Sequence, residues 1–211
     1  MFQAELVFER FEDRFDPLAH AEQALLGRAT GPVAGVAAGV TMPNMIISMT
    51  TALVLIDLMP RIIALPVAPH SGQQVLERCA RLATAFRAND RPVVLVRVER
   101  PNVSEQPPGS DFADGLVQPD DIVVVKRTIG SFHNTDLHDQ LQSRGVNTLV
   151  LAGLVTTMGV ESTARAASDY GYELEFVADA MSGFAAEEHN FTIEKIFPRF
   201  GKVQNTDAYD Q

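Results

Sequence analysis

The feature that most constrains the fold of this chain is a series of short, uninterrupted apolar runs that alternate with helix-like segments. The runs are rich in Val, Ile and Leu and lie at 51–57, 92–97, 121–126, 148–153 and 174–180. Strands without polar alternation are buried on both faces, as happens when helices cover both sides of a parallel sheet. The pattern therefore predicts a three-layer α/β/α domain around a parallel sheet.

The segments between the runs have helical spacing of their apolar residues. Helices are predicted over 71–89, 135–145, 157–170 and 187–197, and a short last strand over 202–204. This order of elements is typical of Rossmann-like topologies, in which ligands bind at the carboxyl ends of the strands.

The first 44 residues do not share this pattern. Residues 27–44 consist mainly of Gly, Ala, Thr and Pro without periodicity, which is typical of a tether and not of a membrane span. A start codon placed too far upstream is the alternative, because several methionines precede the first strand. We therefore divide the chain into an N-terminal extension, residues 1–44, and one domain, residues 45–211.

Charge and cysteine content exclude several classes of partner. Seventeen Lys and Arg against 27 Asp and Glu give a net charge of −10, which repels phosphate backbones and anionic lipids. We therefore expect neither nucleic acid nor membrane as a partner. The acidic start, residues 1–16, does not resemble a secretory signal, and one cysteine cannot form an internal disulfide. Both features favour the cytoplasm.

Charged residues end three of the apolar runs. Asp57, Arg97 and Lys126 occupy these positions, and in a parallel sheet they would face one rim. A carboxylate with two cations can hold and protonate a small anion. The alternative is that each charge marks only where a buried strand meets solvent.

The turn after the fourth run, within residues 153–167, favours a ligand site more specifically. Thr156 and Thr157 stand where helix N-caps belong, and Gly159 falls in the first helical turn. Backbone N–H groups in a first turn lack intrahelical partners and can bind a carboxylate or an oxyanion. A plain strand-to-helix turn is the alternative.

From about Thr50 to Asp210 the chain resembles the isochorismatase-like hydrolase superfamily, whose amidase members are called cysteine hydrolases. The resemblance is carried by ALVLID, VVVKRTIGSFHNTDL, GLVTTMGVESTAR, GYELEFVADAMS and EEHNFTIEKIFPRFGKV. The turn has the GVESTAR form found in a subset of isochorismatase-family proteins without an assigned activity. The resemblance implies a six-stranded parallel sheet between helices and no cofactor.

In cysteine-dependent members, an Asp after the first strand and a Lys after the third assist a Cys after the fourth. The matching positions here are Asp57, Lys126 and Gly159, so the nucleophile is missing. Cys79 lies on the apolar stripe of a predicted helix, where we expect burial. Isochorismatases proper also carry Gly at this helix position and hydrolyse a vinyl ether without a nucleophilic sulfur.

The resemblance therefore implies a hydrolase of a small anionic metabolite that does not use covalent catalysis. Asp57 would be the general acid, and Lys126 would hold it. A nearby ammonium lowers the pKa of a carboxyl, so burial or substrate charge has to raise the pKa of Asp57 for this role. The residues predicted to bind substrate are Arg97, Phe132, Val155, Thr156, Thr157 and Met158.

A non-catalytic descendant that binds a ligand or a protein partner is the alternative function. The family usually forms homo-oligomers, so we expect one here. Residues 133–139, which read HNTDLHD, do not place their His and Asp side chains on one ligand face, so no metal site is predicted. Glu161, Asp179 and His189 are expected to have structural roles. Met59 stands where much of the family has Gln.

Overall fold

Six parallel strands form one sheet in the computed structural model, which describes residues 50–210. The neighbour order across the sheet is β3-β2-β1-β4-β5-β6. This arrangement confirms the predicted six-stranded parallel fold. The strands are β1 (Thr50–Ile56), β2 (Val93–Val98), β3 (Ile122–Lys126), β4 (Val146–Leu154), β5 (Glu173–Ser182) and β6 (Gly201–Gln204).

Helices connect the strands on both faces of the sheet. They are α1 (Pro60–Ile63), α2 (Gly72–Ala88), α3 (Leu137–Ser143), α4 (Glu161–Asp169) and α5 (Ala186–Phe191). Two π-helical turns, at Thr156–Val160 and Thr192–Ile196, and two 3-10 turns, at Phe197–Arg199 and Thr206–Tyr209, complete the pattern.

Four of these elements differ from the sequence prediction. The helix predicted from 157 begins with the π turn, and the helix predicted to end at 197 passes from α5 into a π turn and a 3-10 turn. Helix α1 and the turn at Thr206–Tyr209 were not predicted, because four residues are too few to show a helical period.

The two faces of the sheet bury separate apolar clusters, as the uninterrupted strand sequences require. Leu53 and Leu55 pack with α2, whereas Val54 and Ile56 pack on the opposite face with α3 and α4. Cys79 lies in the α2 cluster and is fully buried, which confirms its predicted burial. The core therefore holds the central strand β1 rigidly from both sides.

The strand order places a crevice beside the carboxyl end of β1. The chain moves outward from β1 to β2 and β3, then returns to add β4 on the other side of β1. Connections from neighbouring strands leave the sheet in opposite directions at such a switch point, and ligands bind in the resulting crevice.

The predicted extension, residues 1–44, lies outside the described residues, so the division of the chain at residue 45 stays a prediction. None of the helices within residues 50–210 is long and apolar enough to cross a membrane.

Candidate active site

Asp57 follows the last residue of β1 and is held in an unusual backbone conformation. Its φ is 56°, in the left-handed region that Asp adopts more readily than most residues, and its N–H donates to Val96 O at 2.8 Å. Such conformations persist where the surrounding structure fixes them, often at functional sites. The Asp57 residue is only 8% exposed.

Lys126 ends β3 and reaches across β2 to the same place. Its Nζ lies 2.9 Å from Asp57 Oδ2 and donates to Ile129 O at 2.7 Å. With 1% exposure, its ammonium depends on these two oxygens because it has little contact with water. The structure therefore brings two of the three predicted catalytic positions into an ion pair.

Burial decides the protonation behaviour of this pair. Burial raises the pKa of the Asp57 carboxyl above its usual range, and this effect outweighs the lowering by Lys126 and by the charge of Arg61. Asp57 Oδ2 faces the lysine, while Oδ1 is buried and has no hydrogen-bond partner within the described part of the chain. A carboxyl with a raised pKa and one free oxygen is suited to donate a proton.

Gly159, the third predicted catalytic position, lies within the π turn that precedes α4. A Cβ there would lie 3.0 Å from Ile56 Cγ2 and 3.1 Å from both Asp57 Oδ2 and Lys126 Nζ. A side chain at 159 would thus lie in tight contact with the ion pair.

We expect Gly159→Ala to disturb the ion pair while leaving the fold intact. The added methyl has to move Asp57 Oδ2 or Lys126 Nζ by a few tenths of an ångström. Small misplacements of reacting groups are costly, so kcat/KM should fall about tenfold or more on the best substrate found. Wild-type kinetics in a variant with an unchanged unfolding curve would contradict this view of the contact.

An open cavity of about 350 Å³ lies over the ion pair. Four predicted residues line it, namely Asp57, Lys126, Met158 and Gly159. Sequence reasoning missed several other lining residues. These include Arg61, Arg100, Thr128 and Ile129, which belong to α1 and to the loops after β2 and β3.

The remaining predicted substrate-binding residues do not line this cavity. Arg97, on β2, instead forms an ion pair with Glu99 just after the strand, with Nη1 3.0 Å from the carboxylate. Phe132 is buried and packs against Tyr170 and Tyr172. Val155 and Thr156 are buried, and Thr157 is half-buried.

The prediction that Thr156 and Thr157 cap the helix is wrong. Val155 occupies the cap position, and no side chain caps the turn. The Thr156 hydroxyl instead shares a 2.8 Å hydrogen bond with His189 Nδ1 on α5. The Met158 N–H donates to Val155 O at 3.0 Å, so this amide is not free to bind a ligand as we expected.

His189 has the structural role that the sequence suggested, and its environment makes that role dependent on pH. The residue is 4% exposed, and burial, with a smaller effect of His70, lowers its pKa to about 4. Because the charged form is disfavoured only in the folded state, stability should be lost as the pH falls below the usual histidine pKa.

We expect the free energy of unfolding to drop by about 2 kcal/mol from His189 alone between about pH 7 and about pH 5. His189→Asn removes this contribution, so the pH dependence of chemical denaturation should be weaker in the variant than in the wild type. Equal pH dependence in the two proteins would show that His189 is not buried in its neutral form.

The other polar residues noted in the sequence are bound to neighbours. Asp179 Oδ1 accepts hydrogen bonds from the Thr206 N–H and hydroxyl, and Glu161 pairs with Arg165 one helical turn later. His138 stacks on Tyr170. Within residues 50–210 no group of three His, Cys, Asp or Glu side chains is placed to hold a metal ion.

The fold and the site define a class of protein, namely a three-layer α/β domain with a small-ligand cavity over a buried Asp–Lys pair at the switch point of its sheet. Comparison with known families agrees with this description. Residues 51–208 match the model of the isochorismatase domain, so the chain belongs to the isochorismatase family. The members of this family are hydrolases.

Relatives and solved structures support the assignment. The isochorismatase family protein YecD of Escherichia coli O157:H7 is 38% identical over 183 residues, which cover 75% of this chain and 93% of YecD. YwoC of Bacillus subtilis is 39% identical over 177 residues, covering 75% and 92% of the two chains. An isochorismatase family protein structure from Burkholderia thailandensis superposes with a TM-score of 0.69 at 39% identity, covering 75% of this chain and 92% of that one.

Proposed function

We propose that this protein hydrolyses a small anionic metabolite by general acid catalysis, without a covalent intermediate. The observation that carries the proposal is the Asp57 carboxyl, whose pKa burial raises and whose Oδ1 has no partner within the described residues. It lies beside Gly159, which the resemblance matches to the position of the family nucleophile. A proton donor is available there, and a sulfur nucleophile is not.

The reaction that fits these groups is hydrolysis of an enolpyruvyl ether. Protonated Asp57 gives its proton to the methylene carbon, and water adds to the neighbouring carbon of the resulting oxocarbenium ion. The proton that the added water loses returns to the Asp57 carboxylate, which leaves a neutral hemiketal. The hemiketal then loses the alcohol, so that pyruvate and the alcohol are the products. Lys126 keeps Asp57 in place and stabilises the carboxylate left after proton transfer.

Thioester chemistry finds no support in the described residues. Cys79 is the only cysteine of the sequence, and it lies on the face of α2 that packs against the sheet. Its Sγ lies 3.6 Å from Ala180 O, and burial raises the pKa of the thiol well above its usual range. A buried neutral thiol is a poor nucleophile.

The test is a turnover assay of the full chain on isochorismate and a small set of amides. Pyruvate is followed by coupling to lactate dehydrogenase, and ammonia is followed separately. We expect pyruvate from the enolpyruvyl ether and no ammonia from the amides. Ammonia release would contradict catalysis without a nucleophile, whereas ligand binding with no turnover of any compound would favour the non-catalytic alternative.

A cytoplasmic location and assembly as a homo-oligomer remain part of this proposal. The acidic sequence and the resemblance to the family support them. Size-exclusion chromatography with light scattering would measure the assembly directly.

A further inference from the structure

The charges around the cavity do not balance. Asp57 and Glu99 are its acidic residues, and each already has a partner, since Lys126 lies 2.9 Å from Asp57 and Arg127 lies 2.6 Å from Glu99. Arg61 and Arg100 also line the cavity, and neither forms an ion pair within the described residues. The cavity therefore presents two cations without counterions, although the whole chain is acidic.

Arg61 is held more firmly than a surface arginine. It is the second residue of α1, and its backbone N–H donates to Gly109 O at 3.2 Å. Its Nη2 donates to Val98 O at 3.1 Å, at the carboxyl end of β2. Arg61 is thus held at two points, its guanidinium by Val98 O and its backbone N–H by Gly109 O, in the short helix that follows Asp57.

One donor of this fixed guanidinium is left over. Arg61 Nε is buried and has no hydrogen-bond partner within the described residues. A buried donor without a partner costs about 1–3 kcal/mol, so such groups are rare unless a ligand or water satisfies them. A guanidinium edge matches the two oxygens of a carboxylate, which a lysine could not bind in the same way.

We infer that Arg61 binds a carboxylate of the substrate, and that Arg100 at the exposed rim adds a second positive charge that attracts the anion. The site takes small carboxylates, held within the same cavity as the Asp57 carboxyl. This inference rests on the proposed function for the identity of the cavity as the active site, but the binding it describes does not require turnover.

Arg97, the arginine favoured by sequence reasoning, does not compete for this role. Its Nη1 lies 3.0 Å from Glu99 and its Nε lies 3.9 Å from Asp111, so its charge is already balanced. Arg61 of α1 lines the cavity, whereas Arg97 does not.

The test measures binding of pyruvate and of its uncharged amide, pyruvamide, by NMR titration of the full chain. We expect wild type to bind pyruvate more tightly than pyruvamide, and Arg61→Gln to weaken pyruvate binding about tenfold or more, because a charge-assisted hydrogen bond is lost. The backbone N–H of residue 61 keeps its hydrogen bond to Gly109 O in both variants. Arg61→Lys keeps the charge without the guanidinium edge, so we expect intermediate affinity.

Substitutions of two other arginines test whether any loss of positive charge weakens pyruvate binding. Arg81→Gln removes a cation on the outer side of α2 that pairs with Asp210, and Arg97→Gln removes the rival cation. Both should bind pyruvate as wild type does. Equal affinity of wild type for pyruvate and pyruvamide, unchanged binding in both Arg61 variants, or a loss in Arg97→Gln alone would overturn the inference.

The result of the pyruvate titration can be distinguished from the result of the turnover assay. Asp57→Asn should still bind pyruvate, since Arg61 is intact. Pyruvate binding that depends on Arg61 in a protein without turnover would keep the carboxylate site and reject the hydrolase.

Discussion

Asp57→Asn should lower kcat/KM for the best substrate by about 10³-fold, with the fold retained. General acid catalysis contributes about 10²–10⁴-fold, and the asparagine amide cannot donate a proton to carbon at a useful rate. Its side-chain oxygen can still accept from Lys126 Nζ, which also donates to Ile129 O, so the lysine keeps two partners. Steady-state kinetics and circular dichroism would measure both parts of this result.

The matched control is Asp114→Asn, because Asp114 is an exposed aspartate outside the cavity. It should have wild-type kinetics. Activity of the wild type should also fall as the pH rises through the raised pKa of Asp57, since only the protonated carboxyl donates. An Asp57→Asn variant with more than about a tenth of wild-type activity would rule out the acid role.

Lys126→Met should lower the free energy of unfolding by about 3 kcal/mol at about pH 8, because breaking a buried pair leaves an uncompensated buried charge. Asp57 can respond by taking up a proton. Without the ammonium, burial is opposed only by the smaller effect of the Arg61 charge, so the pKa of Asp57 in the folded variant rises further. The stability difference from wild type should therefore shrink as the pH falls, because the neutral carboxyl no longer needs a counterion.

Urea denaturation at several pH values would measure this effect. Lys202→Met, which removes an exposed lysine from β6, is the control and should change stability little. The double variant Asp57→Asn/Lys126→Met should be more stable at about pH 8 than Lys126→Met alone, because it buries no charge. A loss that is the same at all pH values would mean that the lysine acts through packing and not through the charge of Asp57.

The resemblance to the family allowed the ion pair to be predicted before the structure, and the local sequence explains why. Asp57 and Lys126 each end an apolar run, and in parallel strands such positions lie at one edge. Arg97 satisfied the same rule, yet it does not line the cavity. Its side chain meets Glu99, an acid two residues further along the same strand end, which a reading of strand ends alone did not weigh.

Arg61 shows the opposite case. No sequence pattern singles it out, because α1 is too short for a helical period and Arg61 ends no strand. Its position depends on contacts with Val98 and Gly109, which are 37 and 48 residues away along the chain. Only the folded chain brings one carbonyl group to the Arg61 guanidinium and the other to the Arg61 backbone N–H.

Periodicity and apolar runs report burial locally, so the strands, the parallel sheet and the burial of Cys79 could be predicted from the residues alone. Tertiary structure decided how the ion pair titrates, because the pKa of Asp57 depends on how completely the packed layers exclude water around it. It also decided that Thr156 bonds to His189 and does not cap a helix, because the partner comes from another helix. Such contacts join distant parts of the chain, so they arise from packing and leave no local pattern in the sequence.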